Sequence, residues 1–180
     1  ATFNYGSRDN DEKQVIFKKS KCVFATGHVE YLGHVIYVQE VATDPSKIIS
    51  MQDWPLLTNI KQLRGFLMLT GYYRKFIKDF ASLNRPLTHI LKKNSYKWSK
   101  EAQTSFLVLK TTMSMAPVLA LPYFTIPFEI EMDASGIGIG AVLQQRGHPI
   151  AYLSKALAPK HQSLSNYEKE FLAIMMALEK

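Results

Sequence analysis

The chain has 180 residues, 47% of them hydrophobic, and a formal net charge of +7. Such a chain can bury a sizeable core as one domain or two small ones, which excludes a disordered tail. Its single cysteine, Cys22, excludes an intramolecular disulfide and favours a reducing intracellular compartment, and no apolar run approaches the roughly 18 to 20 residues that span a bilayer.

The positive charge is concentrated between Asp44 and Trp98. This segment holds ten Lys or Arg against three Asp, and ten minus three equals the net charge of the whole chain. Aromatic residues such as Tyr72, Tyr73 and Phe76 lie among the cations. This pattern is expected for a surface that contacts a nucleic-acid backbone. A solvated basic face over an ordinary aromatic core would give the same composition, so both interpretations stay open.

Short strands are the first elements that the sequence predicts. Residues 1–13 are polar and aperiodic, which is typical of a loop or frayed end. They begin without Met or a signal peptide, which favours a segment excised from a longer protein. Residues rich in β-branched and aromatic side chains then predict two or three antiparallel strands within Val15–Phe17, Cys22–Phe24 and Val29–Val38.

Helical segments occupy the middle of the chain. One helix is predicted from Asp44-Pro45 to Trp54-Pro55, because Pro suits the first helical position and Asp or Thr suits the cap. Four more segments are predicted to begin at Thr58, Tyr72, Arg85-Pro86 and Ser99, with Gly71 interrupting after the first of them and Pro117 ending the last. Together they predict a compact helical unit with no sheet of its own.

The periodicity changes to alternation after Pro122. Three strands are predicted at Phe128–Asp133, Gly138–Gln145 and Pro149–Ser154, separated by turns at Ser135-Gly136 and Gly147-His148. A last helix begins at Ser165, with Glu168 placed to complete a capping box. We expect three antiparallel strands with this helix packed on one face.

Three glycines at alternate positions, Gly136, Gly138 and Gly140, superficially resemble a dinucleotide-binding fingerprint. That fingerprint must open a helix, whereas the residues after Gly140 alternate as in a strand. The glycines are therefore predicted to flatten one face of the strand so that a neighbouring backbone or a substrate can approach.

Two carboxylates in this region are candidates for a metal site. Asp133 ends an apolar strand, where an unpaired carboxylate is costly, and Glu170 lies half toward the core in the last helix. Oxygen ligands from a strand and a helix suit Mg²⁺ and phosphodiester chemistry. Capping of the turn after Asp133 is an equally good account of that residue. We expect Asp133 and Glu170 to approach each other.

Five motifs resemble, in order, the Pol polyprotein of gypsy-type LTR retrotransposons, from about Gln14 to Lys180. They are Val29–Ile36, Ala42–Ile48, Leu63–Ile77, Ala116–Leu119 and the pair Asp133–Ser135 with Ala151–Lys155. The resemblance implies an α+β chain that ends in an incomplete RNase H-like sheet and helix. The implied boundaries are 14–42 for the end of the reverse transcriptase palm, 43–95 for a thumb-like helical unit, 96–126 for a tether and 127–180 for the beginning of RNase H, with 1–13 unassigned.

The same resemblance implies roles for individual residues. The hairpin Tyr31, Leu32 and Gly33 would grip the primer end. Lys61, Gly65 and Leu69 would lie along the minor groove of the template-primer, since a glycine admits the duplex and a lysine contacts phosphate. Asp133 and Glu170 match the first and second RNase H carboxylates, with Mg²⁺, or alternatively Mn²⁺, as cofactor. The predicted basic stripe comprises Lys61, Arg64, Arg74, Lys75 and Lys78.

The implied function is to grip an RNA/DNA hybrid or primer-template duplex, next to the rest of the polyprotein and in a cytoplasmic particle or the nucleus. Polymerisation is not expected, because the palm aspartates of the family are absent, and the two later RNase H aspartates would lie beyond Lys180. Retroviral connection domains share the RNase H fold without its carboxylates, so fold alone does not imply cleavage. The alternative function is a non-catalytic nucleic-acid-binding remnant of a decayed element.

Overall fold

A computed structural model describes residues 22–92 and 96–179. Within these ranges the chain forms two antiparallel sheets with helices between and beside them. The strands are β1 His28–Tyr31, β2 His34–Tyr37, β3 Glu40–Thr43, β4 Leu119–Ala120, β5 Glu129–Ala134, β6 Gly138–Gln145 and β7 His148–Ala156. The helices are α1 Pro45–Gln52, α2 Ile60–Tyr72, α3 Phe80–Lys92, α4 Lys100–Ser114, α5 Pro159–Gln162 and α6 Asn166–Leu178, with a 3₁₀ turn at Arg74–Phe76. The α+β class is confirmed.

The first sheet has the order β1-β2-β3-β4. Leu32 and Gly33 connect β1 to β2 with φ angles of 48° and 75°, as a tight two-residue hairpin turn requires. The predicted strand at Cys22–Phe24 was wrong: these residues precede β1 as irregular chain, and Phe24 is 74% exposed. The predicted strand at Val15–Phe17 lies outside the described residues. Strand β4 was not predicted, because two residues carry no periodicity.

Local capping explains where most of the helices begin. Asp44 accepts a hydrogen bond from the Ser46 amide at α1, and Ser99 accepts one from the Ala102 amide at α4, both as predicted. Helix α2 begins one residue later than predicted, because Asn59 rather than Thr58 accepts from the Gln62 amide. At α6 Ser165 and Glu168 form the expected capping box.

Two predicted helix breaks were wrong. Helix α2 continues through Gly71 to Tyr72, and Pro86 lies inside α3 instead of beginning a new helix. In α3 the residues Phe80, Leu87 and Ile90 are all buried, on both sides of the proline. Their packing into a common core keeps the helix continuous across a residue that is locally unfavourable there.

One large core holds the helical unit together. Its fully buried members include Phe66 from α2, Leu87 from α3 and Phe106, Leu109 and Met113 from α4. The three α4 residues recur at the spacing of one helix face. The rings of Phe66 and Phe106 are 4.8 Å apart at their centroids. This core fixes α2 so that its opposite face remains exposed.

The second sheet has the order β5-β6-β7 and follows the predicted strands closely. The turn between β6 and β7 is formed by Arg146 and Gly147, one residue earlier than predicted, and both have positive φ. Helix α6 packs on one face of the sheet through Ala173, which lies in a small core with Ile139 and Leu157.

The opposite face of this sheet packs on the helical unit. Asp79 precedes α3 and Ser82 lies in its first turn, and both approach the sheet: a Cβ at Gly138 would lie 3.1 Å from Ser82 Oγ, and one at Gly140 3.0 Å from Asp79 Oδ1. The Ala81 amide also donates to Ser154 Oγ on β7, at 2.9 Å. The alternate glycines therefore admit the start of α3, and the dinucleotide interpretation has no support from the fold.

Candidate nucleic-acid interface and carboxylate site

Helix α2 presents an exposed face away from the core. Lys61 and Arg64 are exposed, Gly65 is half-buried, and Met68 is 77% exposed. A Cβ at Gly65 would meet only Trp54, at an ordinary contact distance of 3.8 Å. Packing therefore does not require glycine there. An exposed helix face with two cations, a glycine and an apolar side chain can approach a duplex closely and contact its phosphates.

Leu69 is positioned differently from the other residues of this predicted track. It is half-buried and packs against the large core of the helical unit. Met68, one position earlier, is the exposed apolar side chain next to Gly65. Sequence reasoning did not select Met68, although a methionine on the polar side of an amphipathic helix could have indicated it.

The tip of the β1–β2 hairpin is held by two tyrosines from the end of α2. Tyr72 Oη donates to the carbonyl of Leu32, and Tyr73 Oη donates to the carbonyl of Gly33 at 2.9 Å. Burial raises the pKa of Tyr73 to about 12, so its hydroxyl stays a donor at neutral pH. Tyr31 and Leu32 are 60% and 68% exposed. The two hydrogen bonds from Tyr72 and Tyr73 thus fix the turn while the side chains of Tyr31 and Leu32 stay exposed to solvent.

His34 fills the space behind this turn. Its ring stacks on Tyr72 at 5.4 Å and on Phe76 at 5.5 Å between centroids. Burial lowers the pKa of His34, and the nearby Lys75 lowers it further, so the ring is neutral at pH 7. The Nδ1 atom of His34 is buried without a hydrogen-bond partner among the described residues.

Three members of the predicted basic stripe surround the contact between the helical unit and the second sheet. Arg74 lines a groove between α3 and β7, Lys75 lines a pocket beside β2 and β4, and Lys78 lines a cleft beside Asp133. All three are exposed. They line three different depressions, and a single binding stripe with Lys61 and Arg64 stays a prediction.

Asp133 faces the helical unit. It pairs with Gly140 across β5 and β6, and directly paired residues share a face of the sheet, the one that Asp79 approaches. Asp133, Glu131, Asp79 and Lys78 line one small cavity there, of about 90 Å³. Glu131 accepts a hydrogen bond from Gln144 Nε2 at 2.8 Å.

Glu170 belongs to α6, the helix that packs on the other face of the sheet. It is exposed in the first turns of α6, and α6 packs on the face of Ile139, which alternates with that of Gly138 and Gly140. The outer edge of β5, the strand that carries Asp133, pairs with no strand among the described residues. The approach of Asp133 to Glu170 stays a prediction.

The described residues also gather no group of three or more His, Cys, Asp or Glu side chains that could hold a metal ion. Mg²⁺ requires near-octahedral oxygen coordination, and two carboxylates alone do not supply it. The arrangement therefore does not fit a divalent ion without further ligands. No helix in ranges 22–92 and 96–179 is long and apolar enough to cross a membrane.

Comparison with protein families matches residues 98–180 to the RNase H-like domain found in reverse transcriptase. The Pol polyproteins of the Drosophila melanogaster transposons 297 and gypsy are 38% and 37% identical over 87% and 96% of this chain. The chain spans only 15% and 17% of those proteins. An uncharacterized mitochondrial protein of Arabidopsis thaliana is 44% identical over 66% of this chain and 76% of its own length.

Solved structures of the foamy viral protease-reverse transcriptase share the fold. The complex with dsDNA has a TM-score of 0.78 at 21% identity, over 86% of this chain and 34% of that one. The complex with an RNA/DNA hybrid has a TM-score of 0.77 at 20% identity, over 84% and 21%. Identity, shared fold and matched domain agree: the chain belongs to the retrovirus-related Pol polyproteins of gypsy-type retrotransposons and corresponds to their reverse transcriptase and RNase H region.

Proposed function

We propose that this chain holds an RNA/DNA primer-template duplex, with the hairpin of Tyr31, Leu32 and Gly33 at the primer end and α2 along the minor groove. The observation that carries the proposal is the exposed α2 face of Lys61, Arg64, Gly65 and Met68, joined to the hairpin through Tyr72 and Tyr73. Foamy viral structures of the same fold contain dsDNA and an RNA/DNA hybrid, which supports the class of ligand.

The segments keep the roles that the resemblance implies. We propose that 14–42 ends a palm, 43–95 is the thumb-like unit, 96–126 is the tether and 127–180 begins RNase H, followed by the rest of the polyprotein. The contact of Asp79 and Ser82 with Gly138 and Gly140 supports a direct attachment of the part 127–180 to the thumb-like unit.

Lys61→Ala tests the ligand class. If Lys61 contacts one phosphate, the slope of log affinity on log salt should become shallower by about one unit, because each contact releases about 0.9 counterion from a B-form duplex. The measurement is fluorescence anisotropy of a labelled RNA/DNA hybrid over a salt series. Lys47→Ala on α1, also exposed, is the matched control and should leave the slope unchanged. Binding that is independent of salt in the unmodified chain would contradict the proposal.

Gly65→Ala and Gly71→Ala separate duplex contact from helix stability. Both glycines lie inside α2, and alanine in a helix interior is favoured by about 0.5–1 kcal/mol, so both variants should unfold at higher urea. Only Gly65 is on the proposed contact face, where a methyl group would hold the duplex away. We expect Gly65→Ala to weaken hybrid binding several-fold and Gly71→Ala to leave it unchanged. Equal affinities of the two variants would exclude close approach at Gly65.

The family's RNase H-like domains act with divalent metal, and we propose Asp133 and Glu170 as the chain's contribution to a Mg²⁺ site, or a Mn²⁺ site, in the complete enzyme. The match to the family's motif supports this. The residues present do not complete the site, so no catalytic step is assigned to them. A non-catalytic nucleic-acid-binding role is the second candidate, and the orientation of Asp133 toward the helical unit favours it.

A hybrid-cleavage assay distinguishes these two roles. We expect the 180-residue chain to leave an RNA/DNA hybrid intact at every Mg²⁺ concentration, because two carboxylates alone leave an ion held mostly by water. Asp133→Asn is the control for contaminating nuclease, since any contaminating cleavage would persist in it. Cleavage by the unmodified chain that disappears in Asp133→Asn would overturn the expectation and show that the site assembles.

A further inference from the structure

A second basic surface lies away from the α2 face, in a groove between α3 and β7 that α5 closes at one end. The cations that line it are Arg74, Arg85, Lys92 and Lys155, together with His89. None of the lining residues is Asp or Glu, so the positive charge of the groove is not neutralised from its own walls.

The two walls of the groove are fixed to each other. The Ala81 amide on α3 donates to Ser154 Oγ on β7 at 2.9 Å, and Gln162 Nε2 donates to the carbonyl of Leu157 at 3.0 Å. Arg85 and Lys155 are exposed on opposite walls. The bond from Ala81 to Ser154 attaches α3 to β7, so Arg85 and Lys155 extend from two walls whose backbones are joined before any ligand arrives.

The chemistry of the groove selects its ligand. Several cations with neutral donors such as Asn84 suit a row of phosphates, since charge-assisted hydrogen bonds to phosphate are the strong ones. Phe80 is only 7% exposed, which leaves the imidazole of His89 as the one exposed ring among the lining residues, so the groove has no row of rings on which successive bases could stack. In a duplex the bases are paired in the interior and the phosphates lie on the outside. A groove that contacts phosphates and not bases therefore suits a duplex.

We propose that the groove between α3 and β7 is a second nucleic-acid site, which binds the phosphate backbone of a duplex without reading its sequence. The inference rests on the proposed function, because it assumes that the chain binds a duplex at all. It adds a contact on the side where the thumb-like unit meets the RNase H-like sheet. The ligand is either a further stretch of the duplex that α2 holds or a separate duplex, and the contacting chemistry is the same.

The double variant Arg85→Gln with Lys155→Gln tests the groove on the full chain. We expect the slope of log affinity on log salt for a long RNA/DNA hybrid to become shallower by about two units, one for each lost phosphate contact. Lys47→Gln with Lys100→Gln removes the same charge from two exposed positions outside the groove and should leave the slope unchanged. Thermal unfolding of both double variants checks that the fold is intact.

The outcomes separate this inference from the proposed function. If Lys61→Ala changes the slope and the groove variant does not, the second site is excluded while duplex binding stands. If the unmodified chain shows no salt-dependent binding, both fail. A short duplex that still needs the groove residues indicates a separate duplex, whereas a need seen only with long duplexes indicates one continuous ligand. If the groove variant loses binding to polyglutamate but not to the hybrid, the groove binds an acidic protein and the inference is wrong.

Discussion

Replacing Phe66 by alanine should lower the free energy of unfolding by about 3–5 kcal/mol, which is the usual cost of removing a buried phenyl ring from a core. Phe66 is fully buried and contacts Phe106 at 4.8 Å and Trp54 at 5.9 Å between ring centroids. Its ring contact with Phe106 joins α2 to α4 within the large core. Urea unfolding followed by circular dichroism measures the change, with a stability of about 5–15 kcal/mol expected for a natural domain.

Met68→Ala is the matched variant on the opposite side of the same helix. Met68 is 77% exposed, so its truncation should change the free energy of unfolding by less than about 0.5 kcal/mol. It should nevertheless weaken hybrid binding several-fold, because an apolar side chain that is exposed in the free protein would be covered by the duplex. If Met68→Ala destabilised the chain as Phe66→Ala does, the assignment of the two faces of α2 would be wrong.

Elements specified by neighbouring residues were predictable. The capping box of Ser165 and Glu168 lies within one turn, so the start of α6 follows from the sequence. The apolar residues of α4, among them Phe106 and Met113, recur at helical spacing and are buried on one face of the helix. The breaks predicted at Gly71 and Pro86 were wrong because the core on either side of them keeps each helix intact, and that core is not local.

The candidate site depends still more on distant contacts. Alternation shows that Glu131 and Asp133 share a face, but it does not tell which face α6 covers. The face that α6 covers is set by Ile139, which packs on α6. The opposite face is set by Gly140, whose lack of a side chain lets Asp79 from another part of the chain approach. The hydrogen bond from Tyr73 to the Gly33 carbonyl also joins residues that are far apart in sequence, 40 positions from each other. Spacing alone could not reveal these contacts.

Gly33→Ala should have a comparably large effect on the hairpin. Gly33 has a φ of 75°, where an L-residue is strained by about 1–3 kcal/mol. A Cβ would lie 2.7 Å from Tyr73 Oη, closer than real Cβ atoms come, so the hydroxyl that donates to the Gly33 carbonyl must move. With the loss of that hydrogen bond, worth about 1 kcal/mol, we expect a total destabilisation of about 2–4 kcal/mol in urea unfolding.

A double-mutant cycle with Tyr73→Phe separates the two causes. Removing the hydroxyl also removes the atom that the new methyl group would meet, so Gly33→Ala should cost less in the Tyr73→Phe background than in the unmodified chain. The part that remains is the strain of the turn. Gly27→Ala, where a Cβ would have no atom within 4 Å, is the control and should be nearly neutral. Full additivity of Gly33→Ala and Tyr73→Phe would show that Tyr73 does not hold the turn, and the proposed coupling between α2 and the primer-end hairpin would fail with it.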